Sequence, residues 1–313
     1  MTQVLAVVGP TASAKTSLAI ELAEHLDTEI ISADSMQFYR GRERGRGAPS
    51  AEELARVQHH FVGHIEPSQE MSAGDFEVAA RALVRDINAR GKTAVVVGGS
   101  GLYIQALIDG LFEGPGKTPA VRERLHAEAE ELGTESLYSR LESVDPEYAG
   151  RIERGDLRRI VRALEVYEVT GRPISELYLE QQESSKSLDA VQVALDWPRD
   201  VLYERINARV DAMMAAGFAD EVGRLIERGY GGHIKRLRSI GYREIAAYLA
   251  GDCTLEEAVE SMKMFTRRYA KRQLTWFRGD PRVHWLKAGA GETETFHLEH
   301  VLDLLARESE VQA

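Results

Sequence analysis

The chain has a single cysteine, Cys253, in 313 residues, which excludes an internal disulfide and a cysteine metal cluster. It has no His-Glu-x-x-His pattern, so a zinc hydrolase of that kind is excluded as well. No apolar run approaches the length needed to cross a bilayer. The N-terminus lacks the charged, then apolar, then small-residue layout of a signal peptide, and a cytoplasmic protein is expected. A net basic charge is also missing, because the formal charge is −11. That sum argues against a nucleic-acid partner, yet a polyanion responds to the local field and not to the total. The distribution is uneven. The stretch 263–282 carries Lys263, Arg267, Arg268, Lys271, Arg272, Arg278 and Arg282 against Asp280 alone, while acid collects elsewhere, as in Glu128, Glu130 and Glu131.

What is present begins with Val4-Leu5-Ala6-Val7-Val8, an apolar and largely β-branched run that reads as a buried parallel strand. Leu18, Leu22 and Leu26 then recur at helical spacing. Between them stands Gly9-Pro10-Thr11-Ala12-Ser13-Ala14-Lys15-Thr16, with the spacing of a P-loop. In such a loop backbone N–H groups and a helix N-terminus cradle phosphate oxygens, Lys15 neutralises charge, and the Thr16 hydroxyl ligates a metal. Any metal is expected to be Mg²⁺ carried with phosphate. One position departs from the pattern: Ala14 stands where a glycine precedes the lysine, and its Cβ must share space with the phosphate.

Residues 29–33 read as a second strand ending at Asp34-Ser35-Met36-Gln37, and 93–97 as a third running into Gly98-Gly99-Ser100-Gly101. In open parallel sheets chemistry sits beyond the carboxyl ends of strands, so Asp34 and Ser100 are expected beside Lys15. Asp34 also fits a plain turn or helix cap. The polar stretch 38–68 reads as an active-site loop and a connection. Its His59-His60 pair suits packing better than zinc, since no acid or cysteine stands at metal spacing. Helices are expected at 73–90, from Leu102, and after a strand at 191–195, where Arg205 and Arg209 sit one turn apart. From 119 to 187 no strand-like run occurs, and helical periodicity marks an inserted domain. Arg158, Arg159 and Arg162 cluster at the start of its clearest helix, 156–170, where the helix dipole disfavours cations. Either an anionic ligand or a solvated surface accounts for them. The long helix from Leu255 to Phe277 interleaves bases with Tyr269, Trp276 and Phe277, which suits either single-stranded nucleic acid or a helix packed by its aromatics. A short strand at His284-Trp285-Leu286 and one weak tail helix at 298–305 close the chain.

Taken together these segments resemble the tRNA dimethylallyltransferases of the IPP transferase family, nearly end to end. The motifs are Gly9-Pro10-Thr11-Ala12-Ser13 with Lys15-Thr16, Asp34-Ser35-Met36-Gln37 with Tyr39-Arg40-Gly41, and Val97-Gly98-Gly99-Ser100-Gly101-Leu102-Tyr103. Further along come Arg162-Ala163-Leu164-Glu165-Val166, Gly171-Arg172-Pro173-Ile174-Ser175, Ile240-Gly241-Tyr242-Arg243-Glu244 and the most specific piece, 266–278. The resemblance implies an α/β fold: a P-loop NTPase-like parallel sheet flanked by helices (1–118 and 188–313), with an all-helical insertion (119–187) that contacts tRNA. It implies a cytoplasmic, monomeric, nucleotide-binding transferase that moves a dimethylallyl group from its diphosphate to tRNA with Mg²⁺. Neighbouring readings are a prenyltransferase acting on free adenine nucleotides, a P-loop kinase, and a tRNA-binding homologue with impaired catalysis. The implied catalytic residues are Asp34, Ser100, Lys15 and Arg205, with the loop from Gly9 to Thr16 holding diphosphate. The implied tRNA contacts are Asp34, Ser35, Met36, Gln37, Ser100, Arg122, Arg158, Arg159, Ile160, Val161, Arg162, Arg238, Gly241, Tyr242, Arg243, Lys271, Arg272, Gln273, Trp276 and Arg278. Ser100 stands where the family usually has Thr. Residues 42–49 replace a segment the family keeps in another form.

Overall fold

The computed structural model describes residues 2–41, 48–112, 114–184, 187–237, 239–289 and 294–311. The chain divides into two compact units, Met1–Ile108 with Leu188–Ala313, and Asp109–Ser187. In the first, strand β1 (Val4–Val8) leads through the loop into helix α1 (Lys15–His25), followed by β2 (Ile30–Ser32), α2 (Ala51–Arg56), β3 (His59–His60), α3 (Ala73–Ala89), β4 (Ala94–Gly98) and α4 (Gly101–Asp109). The second unit holds α5 (Pro119–Leu132), α6 (Thr134–Val144), α7 (Pro146–Ala149), α8 (Leu157–Thr170) and α9 (Ile174–Ser184). The first unit then resumes with β5 (Ala190–Asp196), α10 (Arg199–Ala215), α11 (Phe218–Leu225), a kink over Ile226–Tyr230 with Gly229 at φ +86°, α12 (Gly231–Leu237), α13 (Tyr242–Leu249), α14 (Leu255–Arg278), β6 (Val283–Lys287) and α15 (Glu294–Val311).

The six strands pair in the order β3-β2-β4-β1-β5-β6, all parallel. All five residues of β1 are fully buried because its two faces feed different cores. Val4, Ala6 and Val8 pack with Phe38, Phe76, Val84 and Phe277, whereas Leu5 and Val7 pack with Leu18, Leu22, Val301 and Leu305. This is why the strand reads as an unbroken apolar run and not as an alternation. Helix starts follow local chemistry: Ser72 with Asp75 and Thr254 with Glu257 form capping boxes at α3 and α14, and the Asp156 carboxylate accepts the Arg159 N–H at α8.

Three elements differ from the sequence-based expectation. The stretch 38–68 contains α2 and the two-residue β3, and the His60 ring meets Glu29 at 2.6 Å, so the pair packs at the sheet edge. The tail helix runs to 18 residues and not eight or so, because Val301 and Leu305 cover the α1 side of the sheet. The helical unit begins at Asp109, where the sequence suggests 119. Phe112 stacks edge-on against Tyr178 at 4.9 Å and the Pro115 carbonyl accepts from Arg162, which ties the connection to that unit. Among the described residues no helix is long and apolar enough to cross a membrane.

Candidate active site

The order β2-β4-β1 sets three strand ends side by side. Behind β1 the loop is drawn in by its own chain. Ser13 Oγ donates to the Pro10 carbonyl at 2.9 Å, Lys15 Nζ donates to the same carbonyl, and the Trp197 indole N–H donates to Ser13 O at 3.0 Å. Arg205 Nε donates to Ala12 O at 2.9 Å with its guanidinium 4.2 Å from the Trp197 ring centre. Gly9 has φ +124°, a value only glycine tolerates easily. Ala12 and Ala14 also lie in the left-handed region, at φ +63° and +67°. Each stores strain of about 1 kcal/mol that a glycine would not.

The loop opens on a cavity of about 440 Å³, lined by residues of its own chain from Ala12 to Ser17 together with Pro49, Glu53, Arg205, Ala208 and Arg209. Burial pushes the Lys15 ammonium down from 10.5 to about 7; the Asp34 charge opposes this and the Arg209 charge adds to it. Burial likewise lowers Arg209, against the pull of Asp34. Two cations and one carboxylate therefore sense one another at the mouth of β1 and β2. A pocket that disfavours its own lysine charge is one in which an anion gains by entering. Thr16, at the start of α1, offers a hard oxygen to the same cavity, with the Glu53 carboxylate across it. That donor set is thin for a free-standing metal and fits a cation brought in by diphosphate. Among the described residues no group of three His, Cys, Asp or Glu side chains could hold a metal alone.

Asp34 does cap its turn: its Oδ1 accepts the Met36 N–H at 2.9 Å. Ser100 Oγ accepts the Ser35 N–H at 3.1 Å and lies 3.3 Å from Ser35 Oγ, binding the ends of β2 and β4 together. Gly98 is needed there because a Cβ would strike the Ala33 carbonyl. Gln37 accepts from Ser32 Oγ at 2.9 Å, which turns that amide inward. Tyr269 on α14 faces Ser100. Burial and the Asp34 charge push its phenol up to about 12, against smaller opposing effects of Ser100 and Arg272. Tyr269 and Arg209 join the site although neither stands among the site residues that the family resemblance implied; the sequence marked Arg209 only as able, with Arg205, to reach back toward the phosphates. The signal for Tyr269 was its place one turn before Gln273, and for Arg209 one turn after Arg205.

The expected tRNA contacts divide by burial. Lys271, Arg272, Arg158 and Arg159 are exposed, and Trp276 is 43% exposed with its indole against Gly101. Arg243 stacks over Phe265 at 4.8 Å while bonding Glu244, which also caps the Gly241 N–H at 2.6 Å. Arg278 reaches Asp196 at 3.1 Å. Arg238 lies outside the described residues, as does 42–47. Three contacts need correction: Ile160, Val161 and Tyr242 are core side chains, the last donating its hydroxyl to Glu221 at 2.6 Å, so none presents its side chain to a ligand. Gln273 is buried too. Arg122 and Arg162 are turned onto Glu165, a fully buried carboxylate of α8, at 2.7 Å each.

A phosphate loop at the central strand of an all-parallel sheet, with a carboxylate and a hydroxyl on the adjoining strand ends, defines a P-loop-type group-transfer site. The IPP transferase family model matches residues 37–280, and the chain belongs to that family. It is 47% identical to tRNA dimethylallyltransferase 2 of Geotalea uraniireducens, over 91% of this chain and 92% of that one. It is 45% identical to tRNA dimethylallyltransferase 1 of Citrifermentans bemidjiense, over 97% of both chains. Among solved structures, the full-length tRNA isopentenylpyrophosphate transferase of Bacillus halodurans superposes with TM-score 0.73 at 36% identity, covering 100% of this chain and 99% of that one. A eukaryotic dimethylallyltransferase acting on tRNA gives TM-score 0.81 at 27% identity, over 98% of this chain and 80% of that one.

Proposed function

We propose that this enzyme transfers the dimethylallyl group of dimethylallyl diphosphate to the exocyclic N6 amine of the adenosine 3′ of the anticodon in tRNA, releasing diphosphate. The observation that carries this reading is the meeting of the phosphate loop, Asp34 and Ser100 at three adjacent strand ends. Adenine N6 is a poor nucleophile because its lone pair is delocalised into the ring. A carboxylate that takes its proton as the N6–carbon bond forms answers that difficulty, and Asp34 fills the role. As the carbon–oxygen bond to diphosphate breaks, charge grows on the leaving oxygens. Lys15, Arg205 and Arg209 line the cavity of the phosphate loop, and with the loop N–H groups they would neutralise that charge. Mg²⁺ held by Thr16 and the diphosphate itself would add to that neutralisation.

Lys271, Arg272, Trp276 and Arg243 of the first unit, and Arg158 and Arg159 of the helical unit, supply the exposed cations and aromatic face that an anticodon stem-loop needs. The same reading makes the protein a cytoplasmic monomer and the helical unit a tRNA-contacting domain. Labelled dimethylallyl diphosphate mixed with undermodified tRNA tests it: label enters the tRNA with wild-type protein. With Asp34→Asn, turnover falls by about 10²-fold or more while donor affinity holds. A rise confined to the KM for tRNA would make Asp34 a positioning group and remove it as the base.

A further inference from the structure

Gln273 joins the two halves of the site. It projects from α14 with 6% of its surface exposed. The Thr11 N–H of the phosphate loop donates to its Oε1 at 3.0 Å, and its Nε2 donates to the Gly99 carbonyl at 2.8 Å. The amide orientation is set by chemistry, since one partner can only donate and the other only accept. Room for it exists because residue 99 is glycine; a Cβ there would collide with Nε2. One turn earlier on the same helix face, Tyr269 faces Ser100. On the outward side of this part of the helix stand Lys271 and Arg272.

We infer that Gln273 is a positioning residue that fixes the distance between the diphosphate loop and the acceptor-side turn, and that it does not itself contact tRNA; this rests on the transferase reading above. A transfer reaction requires donor carbon and acceptor nitrogen to be held within bonding reach, and the two are carried by different loops, Gly9 to Thr16 and Gly99 to Ser100. Without a bridge their spacing would depend on the sheet alone. An amide is suited to the task because it accepts and donates in the same plane. A carboxylate of equal size can meet the Thr11 N–H but repels the Gly99 carbonyl. Once protonated, the carboxyl regains a donor, and burial against a carbonyl raises the pH at which that happens.

The test is Gln273→Glu with Gln273→Met beside it, each assayed for kcat at saturating tRNA, tRNA affinity and the pH dependence of transfer. At pH 8, kcat of Gln273→Glu should fall by about 10- to 100-fold, as loss of alignment does, with tRNA affinity within about threefold of wild type. Its kcat relative to wild type should then climb several-fold, by about the gain of one restored donor, as pH falls toward 6. For Gln273→Met the loss should be comparable and independent of pH. If the carboxylate variant does not fold, the methionine variant decides alone: reduced kcat at unchanged tRNA affinity supports the role, and wild-type kcat overturns it. A Gln273→Glu ratio that stays flat with pH overturns it as well. So does weakened tRNA binding with a flattened salt slope at wild-type kcat, which would make Gln273 a tRNA contact. Wild-type protein in the same assay separates the two levels. No transfer by wild type removes the activity reading and this inference with it, whereas active wild type with equal variants removes only the role of Gln273.

Discussion

Helices α8 and α14 are both rich in arginine, yet they use it in opposite ways. On α8, Arg162 turns onto Glu165 one turn further along, and Arg122 joins it from α5 with two bonds of 2.7 Å. Burial alone would raise the Glu165 carboxyl; hydrogen bonds from Arg122, the Thr118 N–H and Arg162 more than reverse this and bring it to about 2. The anion that Arg162 requires is therefore supplied by the protein. On α14 the ends are likewise neutralised, Lys263 by Asp211 and Glu260 and Arg278 by Asp196. Its middle is not treated this way: Lys271 and Arg272 are exposed, and Arg272 stacks 5.5 Å from the Tyr269 ring. Arginine density thus says little about ligands until the carboxylates within reach are known. The arginines of α8 differ in the same way: Arg162 holds the fold, while Arg158 and Arg159 stay at the surface, Arg159 with the half-exposed Asp156 carboxylate 3.4 Å away.

The comparison is broken most directly at Glu165. Glu165→Gln removes the buried charge and leaves two guanidinium groups without it, which should cost about 3 kcal/mol. Urea unfolding followed by circular dichroism measures this. Because the carboxyl is depressed in the folded state, its stabilisation is present above the unfolded value near 4.5 and is lost as pH falls toward about 2. The variant should lose that acid-dependent component while wild type shows it. Equal acid sensitivity of the two would place the buried ion pair outside the forces holding the helical unit.

Next in size is the surface cation pair. Replacing Lys271 and Arg272 by Ala should weaken tRNA binding about 10-fold near physiological salt and reduce the slope of log K against log salt by just under about two units. Arg122→Gln is the matched control: it should lower stability and leave the slope almost intact. A control that flattens the slope as much as the α14 pair would mean that Arg122 leaves Glu165 for the tRNA, and the contrast between the helices would fail.

What the sequence made legible follows from the range of each interaction. Strands β1 and β4 are apolar runs buried on both faces, β5 departs from that pattern at Gln192 and Asp196, and the phosphate loop is defined by spacing within eight residues, so all could be read locally. The role of Glu165 could not, because a glutamate in the middle of a helix looks like a surface residue until Arg122 arrives from α5. Ile160, Val161 and Tyr242 were assigned to tRNA by motif, and a motif counts positions without telling which face of a helix each occupies. Gln273 is the same case in reverse: it stands in the most specific motif of the chain, but its partners Thr11 and Gly99 are remote in sequence. Short elements such as β3 carry too few residues for any periodicity.

A third, smaller effect lies in the loop backbone, where strain is retained beside the cations of the donor pocket. Ala14→Gly relieves a left-handed alanine and should raise stability by about 1 kcal/mol, offset in part by the added freedom of the unfolded chain. It also removes a Cβ from the lining of the loop cavity, so dimethylallyl diphosphate should bind more tightly in calorimetry. Weaker binding would mean that the loop geometry depends on Ala14, which packs against the α1 side of the core.

Lys15 sharpens the contrast at its finest scale, since it lies between the two helices in character: enclosed like Arg162, yet bonded to the neutral Pro10 carbonyl and not to a carboxylate. Burial brings it to about 7, with Asp34 too weak an influence to restore the usual ammonium range and Arg209 pushing the same way as burial. A diphosphate beside it would favour the charged form and raise that value again. Binding at pH 8 should therefore take up a fraction of a proton approaching one, and binding at pH 6, where Lys15 is already charged, should take up little on its account. Calorimetry of dimethylallyl diphosphate in two buffers of different ionisation enthalpy reads the number directly, and Lys15→Met should abolish the difference between the two pH values. If uptake at pH 8 is the same in Lys15→Met as in wild type, the proton belongs to another group. The lysine would then be charged before the donor arrives, paired within the protein as Arg162 is.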